Sequence, residues 1–261
     1  MLDRFEHPVP TRDYVLRQVL LVPMALVIAA LLAHYSGLDV AVERYFYDAE
    51  LNGFPWDKSA PLEFIGHRVF KYFPVVFAVA ALGGIGASYR VVALRRWRSL
   101  LWATIAAFVL GPTVVSLLKH QSNVYCPSSL KMYGGYADYT TAWWSLKPQG
   151  GRCMPSGHAG AGFAMLTLFF AGWASGRPSW RRWGLYTGIA CGVMFSVVRF
   201  MQGAHFPSHV LWSASLDWLV ASLVFLPFAI KGRMPALWWQ PAATKVSPST
   251  DAPAIPAAPL I

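Results

Sequence analysis

The chain has 261 residues, 56% of them hydrophobic and 15% aromatic, and only 13% charged. An ordinary soluble domain carries about 25% charged residues, and this composition also excludes disorder, a collagen and a disulfide-dense secreted scaffold. The net charge of +10 would suit nucleic acid or an anionic membrane surface; with a mean hydropathy of +0.41 the membrane is the expected partner, and nucleic acid is not.

Taken in chain order, six apolar stretches are long enough to cross a bilayer, which takes roughly 17–25 residues including flanks. They run over Val15–Tyr35, Phe70–Tyr89, Leu100–Leu118, Ala159–Ala174, Trp183–Met201 and Val210–Ile230. The expected fold is therefore all-α, a six-helix transmembrane bundle without internal repeats. The first stretch follows an acidic, proline-bearing N-terminus that lacks a small-residue cleavage site, so it reads as an uncleaved anchor. Residues 1–239 form the membrane domain, and the Pro-, Ala- and Ser-rich 240–261 should be a disordered tail.

Six spans place both termini on one side. The termini and the even loops hold thirteen Lys and Arg, dense in YRVVALRRWR and SGRPSWRRW, against nine opposite. By the positive-inside bias the termini are cytoplasmic, and the long loops 37–69 and 119–158 face outward. An inner-membrane location with function at the outer face follows as an expectation.

Three segments meet at that face. The first runs from Lys119 to Pro127, the second from Cys153 through Pro155-Ser156-Gly157-His158, and the third from Arg199 through His205 to His209. Lys119 and Arg199 are cations at helix ends, suited to holding a phosphate by charge-assisted hydrogen bonds. Ser156 and Gly157 open a helix, where free N–H groups favour an anion. His158 and His205 are two imidazoles, one available as nucleophile and one as general acid/base. Each has a plainer role when taken alone: snorkelling anchor, N-cap, or polar surface group. Their joint placement on one face is what suggests phosphoryl transfer through a covalent phosphohistidine.

At these residues the chain resembles the type 2 phosphatidic acid phosphatase superfamily of membrane lipid phosphatases. The family's motifs are K-x6-R-P, P-S-G-H and S-R-x5-H-x3-D. The second is intact at Pro155–His158; the third matches at Arg199 and His205, with Val198 in place of Ser; the first keeps Lys119 and Pro127. The resemblance implies that His205 attacks phosphorus and that His158 protonates the leaving oxygen. Lys119, Ser156, Gly157 and Arg199 would bind the phosphoryl oxygens, with no metal and no cofactor. Two positions depart from the pattern. Cys126 stands where the family has Arg, and Arg152 or Lys131 is the candidate replacement cation. His209 stands where the family has Asp, and as a neutral acceptor it would support His205 less well than a carboxylate. Asp217, two helical turns below His209, is either a further support for the histidines or a structural hydrogen-bond acceptor.

His205 and His209 also read H-x3-H, the spacing of a zinc pair on one helix. Pro207 between them cannot sit in a helix interior without cost, so the last helix should begin near Ser208 and the metal reading is set aside. Cys126 and Cys153 share an outer loop and should pair as a disulfide in an oxidising compartment, while Cys191 should be a buried small hydrophobe. The leading expectation is a lipid phosphatase acting on a lipid phosphate or pyrophosphate at the outer leaflet. A lipid phosphotransferase using the same phosphohistidine is the close alternative, and a non-catalytic lipid-phosphate binder is the alternative of a different class. Neither the particular lipid nor the oligomeric state is legible in the sequence.

Overall fold

The computed structural model describes residues 5–64, 70–140, 143 and 150–236; the expected disordered tail lies outside the described residues. The described chain is helical, with only isolated β-bridges. The main helices are α1 (Thr11–Tyr35), α2 (Leu38–Phe46), α3 (Phe70–Arg90), α4 (Arg98–Lys119), α5 (157–174), α6 (Pro178–Met201) and α7 (Pro207–Ile230). All six apolar stretches fall on helices. Four of these, α1, α4, α6 and α7, are long and apolar enough to cross a membrane.

The two that miss that measure differ in kind. Helix α3 carries Pro74 inside it and contributes the shorter apolar stretch Pro74–Arg90. Helix α5 is shorter and runs as Gly157–Phe163, a 3-10 stretch Ala164–Leu166, and Thr167–Ala174. It is also buried almost all round, with Ala159, Phe163, Leu166, Phe170 and Trp173 in the main core cluster. A helix that is apolar on every face belongs inside a bundle. Accordingly α4, α6 and α7 pack around it.

Helix α6 meets α5 through glycines at four-residue intervals. A Cβ on Gly184 would lie 2.4 Å from the Leu168 carbonyl carbon, one on Gly188 2.7 Å from Leu166 N, and one on Gly192 2.2 Å from the Phe163 ring. From the α5 side, a Cβ on Gly162 would come within 2.8 Å of Cys191 O. Close backbone approach through small residues is how helices pack where lipid removes the hydrophobic drive between them. Leu32, Val76, Val79, Leu117, Trp183 and Ile230 stay exposed on the outer helices, a distribution suited to lipid contact.

At one end of the bundle the segments 5–9 and 232–236 lie together. Phe5 N–H donates to Gly232 O, Val9 N–H to Met234 O, and Ala236 N–H to His7 O. At the other end of α7 the loops form a second, smaller core from Phe54, Leu130, Tyr133, Ala137 and Phe206. From His209 to Ile230 the helix rises about 30 Å, so these two ends stand on opposite sides of the bundle.

Candidate active site

Proline sets the local geometry at the third motif. Pro207 occupies the first position of α7, where its missing N–H is not needed. The helix starts one residue before the expected Ser208, and His205 is left in the preceding loop. His205, at 2% exposure, and His209, at 1%, are both buried, with ring centroids 5.8 Å apart and the rings edge to face. The third motif's cation, Arg199, ends α6 and donates to Gln202 Oε1 at 2.7 Å.

The second motif is tied directly to this turn. Ser156 is the N-cap of α5, its hydroxyl accepting from Ala159 N–H at 3.3 Å. Its own N–H donates to His209 O, and Ser213 donates its hydroxyl to Ser156 O at 2.9 Å. Gly157 and His158 follow in the first turn of α5, both half-buried. No heavy atom lies within 4 Å of a Cβ built on Gly157, so the start of α5 opens onto free space.

Cys126 and Cys153 form a disulfide, with Cα atoms 5.2 Å apart, as the sequence suggested; Cys191 is a buried free thiol. The bridge joins the Lys119 segment to the start of α5, and Cys153 N–H donates to Val124 O beside it. Ser128 N–H donates to Gly203 O, linking the same segment to the loop that carries His205. Cys153 Sγ then lies 3.4 Å from His205 Nδ1. The group facing that ring nitrogen is thus a disulfide sulfur, and His209 Nδ1 has no hydrogen-bond partner among the described residues.

The electrostatics centre on His205. Burial first, and then the neighbouring His209, Lys119, Arg199 and His158, hold its imidazole well below the usual histidine pKa. Its ring is therefore neutral at pH 7. These four neighbours come from all three motifs. The two candidate replacement cations lie on the loop between α4 and α5. Lys131 is exposed and pairs with Asp138 at 2.9 Å, and Arg152 is exposed in a left-handed backbone conformation (φ 52°). Asp217 is buried against Gly111 and Gly160, its carboxylate oxygens without a hydrogen-bond partner among the described residues. It does not bond to the histidines.

A carboxylate absent from the sequence-based site does reach the turn. Asp39 on α2, fully buried, accepts from Ser208 N–H at 2.9 Å and from the Ser208 hydroxyl at 2.6 Å. His34 Nδ1 lies 3.3 Å from Asp39 Oδ2 and 2.9 Å from the Tyr139 hydroxyl. Burial raises the Asp39 carboxyl, and the Ser208 and His34 contacts pull it back. The only hint in the sequence was two acids four residues apart, Asp39 and Glu43, on a short helix between apolar segments. Nothing in that pattern names Ser208 as the partner.

Residues 96–232, just over half of the chain, match the family model of the PAP2 superfamily, and the chain belongs to that superfamily. No curated protein and no solved structure matches it. Members of the superfamily are generally phosphatases acting on phosphate esters, and the motif segments Lys119–Pro127, Pro155–His158 and Arg199–His209 all lie inside the matched region.

Proposed function

We propose that the protein is an integral membrane phosphatase that hydrolyses a lipid phosphate or pyrophosphate through a phosphohistidine on His205. The observation that carries this reading is the buried His205 imidazole, its Nδ1 3.4 Å from Cys153 Sγ at the second motif and its ring 5.8 Å from that of His209. A neutral imidazole keeps a lone pair free for phosphorus. Nδ1 faces Cys153 Sγ, so Nε2 is the attacking nitrogen, and the sulfur takes the acceptor position that an aspartate holds in the family pattern.

Lys119, Arg199, the Ser156 hydroxyl and the Gly157 N–H bind the phosphoryl oxygens and stabilise charge as it grows in the transition state. His205 Nε2 attacks, the bond from phosphorus to the leaving oxygen breaks, and His158 gives that oxygen a proton. Water then attacks the phosphohistidine, His158 takes a proton from it, and phosphate leaves with His205 restored. No step calls on a metal or cofactor.

Six crossings with cytoplasmic termini and an outward active site complete the proposal. The pairing of segments 5–9 and 232–236 at the pole opposite the motifs, the Lys and Arg asymmetry, and a disulfide suited to an oxidising compartment support it. The substrate's tail would stay in the bilayer while its headgroup enters the site. Purified protein should release phosphate from a panel of lipid phosphates with chelator present and form an acid-labile, alkali-stable phosphoprotein. Transfer of label to a second lipid in place of water would instead identify a phosphotransferase, and binding without turnover would leave a lipid-phosphate binder.

A further inference from the structure

We infer that opening the Cys126–Cys153 disulfide creates a binding site for a zinc-class divalent cation on Cys153, His205 and His209. These three side chains are 0%, 2% and 1% exposed, and one ligand atom from each falls within 4.8 Å of the others. Tetrahedral zinc with Zn–S near 2.3 Å and Zn–N near 2.0–2.1 Å needs neighbouring ligand atoms roughly 3.3–3.7 Å apart. Cys153 Sγ and His205 Nδ1 already stand at 3.4 Å. His209 Nδ1 is buried without a hydrogen-bond partner among the described residues, so the His209 ring is not committed to another group through that nitrogen.

In the oxidised protein the sulfur is bonded to Cys126 and is no thiolate ligand. An external dithiol changes that. It gives two electrons to the disulfide, each sulfur takes a proton, and the dithiol becomes a disulfide. Cys153 can then rotate freely about its side-chain bonds, and its thiol proton passes to water as the sulfur–metal bond forms. One thiolate and two imidazoles select zinc and its neighbours over calcium or magnesium. The thiolate charge also offsets Lys119 and Arg199, which would otherwise repel a cation. Three protein ligands leave one tetrahedral position for water or phosphate.

The H-x3-H spacing alone does not make this site, because Pro207 keeps His205 off the helix. The fold supplies it by bringing Cys153 from the start of α5 against the loop before α7. A metal held there ties up the ring proposed to attack phosphorus. That consequence for turnover rests on the phosphatase reading; the binding does not.

Cobalt serves as the probe, on full-length protein in detergent. Oxidised protein should show no thiolate-to-cobalt absorption. Dithiol-reduced wild-type protein, freed of reductant, and Cys126→Ser, which releases Cys153 without reduction, should each bind one Co2+ with that band and lose it to Zn2+. The band should vanish when Cys153→Ala or His209→Ala is added to Cys126→Ser. Zinc should cut phosphate release by Cys126→Ser at least 10-fold, reversibly with chelator. Absence of the band in both freed forms, its survival in Cys153→Ala, or equal binding by the oxidised protein would overturn the site. Reduced wild-type protein decides the matter if Cys126→Ser does not fold. Cobalt binding without any turnover would defeat only the phosphatase reading.

Discussion

His205 combines the burial, neutrality and cationic neighbours that a phosphorus nucleophile needs, and its replacement is the sharpest test of the mechanism. His205→Ala should lower phosphate release by about 10³-fold or more while phosphate binding persists through Lys119 and Arg199. Retention of near-normal turnover would rule out the phosphohistidine. Its depressed pKa also fixes the acid limb of the pH profile. Protonation removes the attacking lone pair, and a lowered pKa delays that loss, so kcat/KM should hold on acidification through pH 6.5 and fall only below it. A limb centred at an ordinary histidine value would contradict the buried, neutral ring. At Asp39 the acceptor matters more than the charge. Asp39→Ala leaves Ser208 without its acceptor, a loss of about 1–3 kcal/mol for buried donors; kcat should fall with KM little changed, and Asp39→Asn should recover most of it. Equal behaviour of the two variants would show that Asp39 only fills space. Its neighbour Glu43, also fully buried, is pushed up to about 9 by burial and then by Asp39. An acid raised above its unfolded value favours the fold below that value and loses this stability as pH rises toward the folded pKa. Glu43→Gln should therefore match the wild-type melting temperature at pH 5 and exceed it at pH 9; identical curves at both pH values would refute the protonated carboxyl.

The contact between α5 and α6 is made by glycines, and their spacing was visible in the sequence although its purpose was not. Gly184, Gly188 and Gly192 repeat every four residues, which puts them on one face of α6. Only the packed structure shows that this face meets α5 at the backbone atoms of Leu166 and Leu168 and at the Phe163 ring. Because the obstacle at Gly184 and Gly188 includes backbone, a side chain there must push the helices apart. Gly188→Val should lower the melting temperature by several degrees, with a destabilisation of about 1–3 kcal/mol for overpacking. Gly157→Ala, which meets open space, is the paired control and should leave stability nearly unchanged. A reversal of that order would show that the glycines are not what sets the helix separation. The disulfide works at this scale too, since it spans 27 residues and fastens the segment after α4 to the start of α5. It was legible because two cysteines shared one loop. That its sulfur would face His205 was not, because the loop's path depends on contacts such as Cys153 N–H to Val124 O.

For the whole molecule, the decisive measurement is its orientation. On the proposed topology, an impermeant maleimide applied from the outer face should label Ala49→Cys, in the exposed loop after α2, and spare Ala93→Cys, exposed in the short helix before α4. The opposite pattern would invert the proposed topology and move the site to the cytoplasmic face. The amino-acid sequence by itself determined the membrane class, the helical content, the position of all six apolar helices and the family motifs, because each depends on composition or on short, local spacing. It also pointed to Lys119, His158, Arg199 and His205 as one candidate site, because each motif sits at the end of an apolar segment whose length fixes where it emerges. Tertiary structure alone decided three further things. It made α5 the central helix, a consequence of burial on every face that hydropathy cannot distinguish from contact with lipid. It brought Asp39, 169 residues away in the chain, to Ser208. Finally, it set a disulfide sulfur against His205 Nδ1 while leaving His209 Nδ1 without a bond. These pairings join residues far apart in the chain through the angles and separations at which helices pack, and such geometry exists only once the bundle has closed.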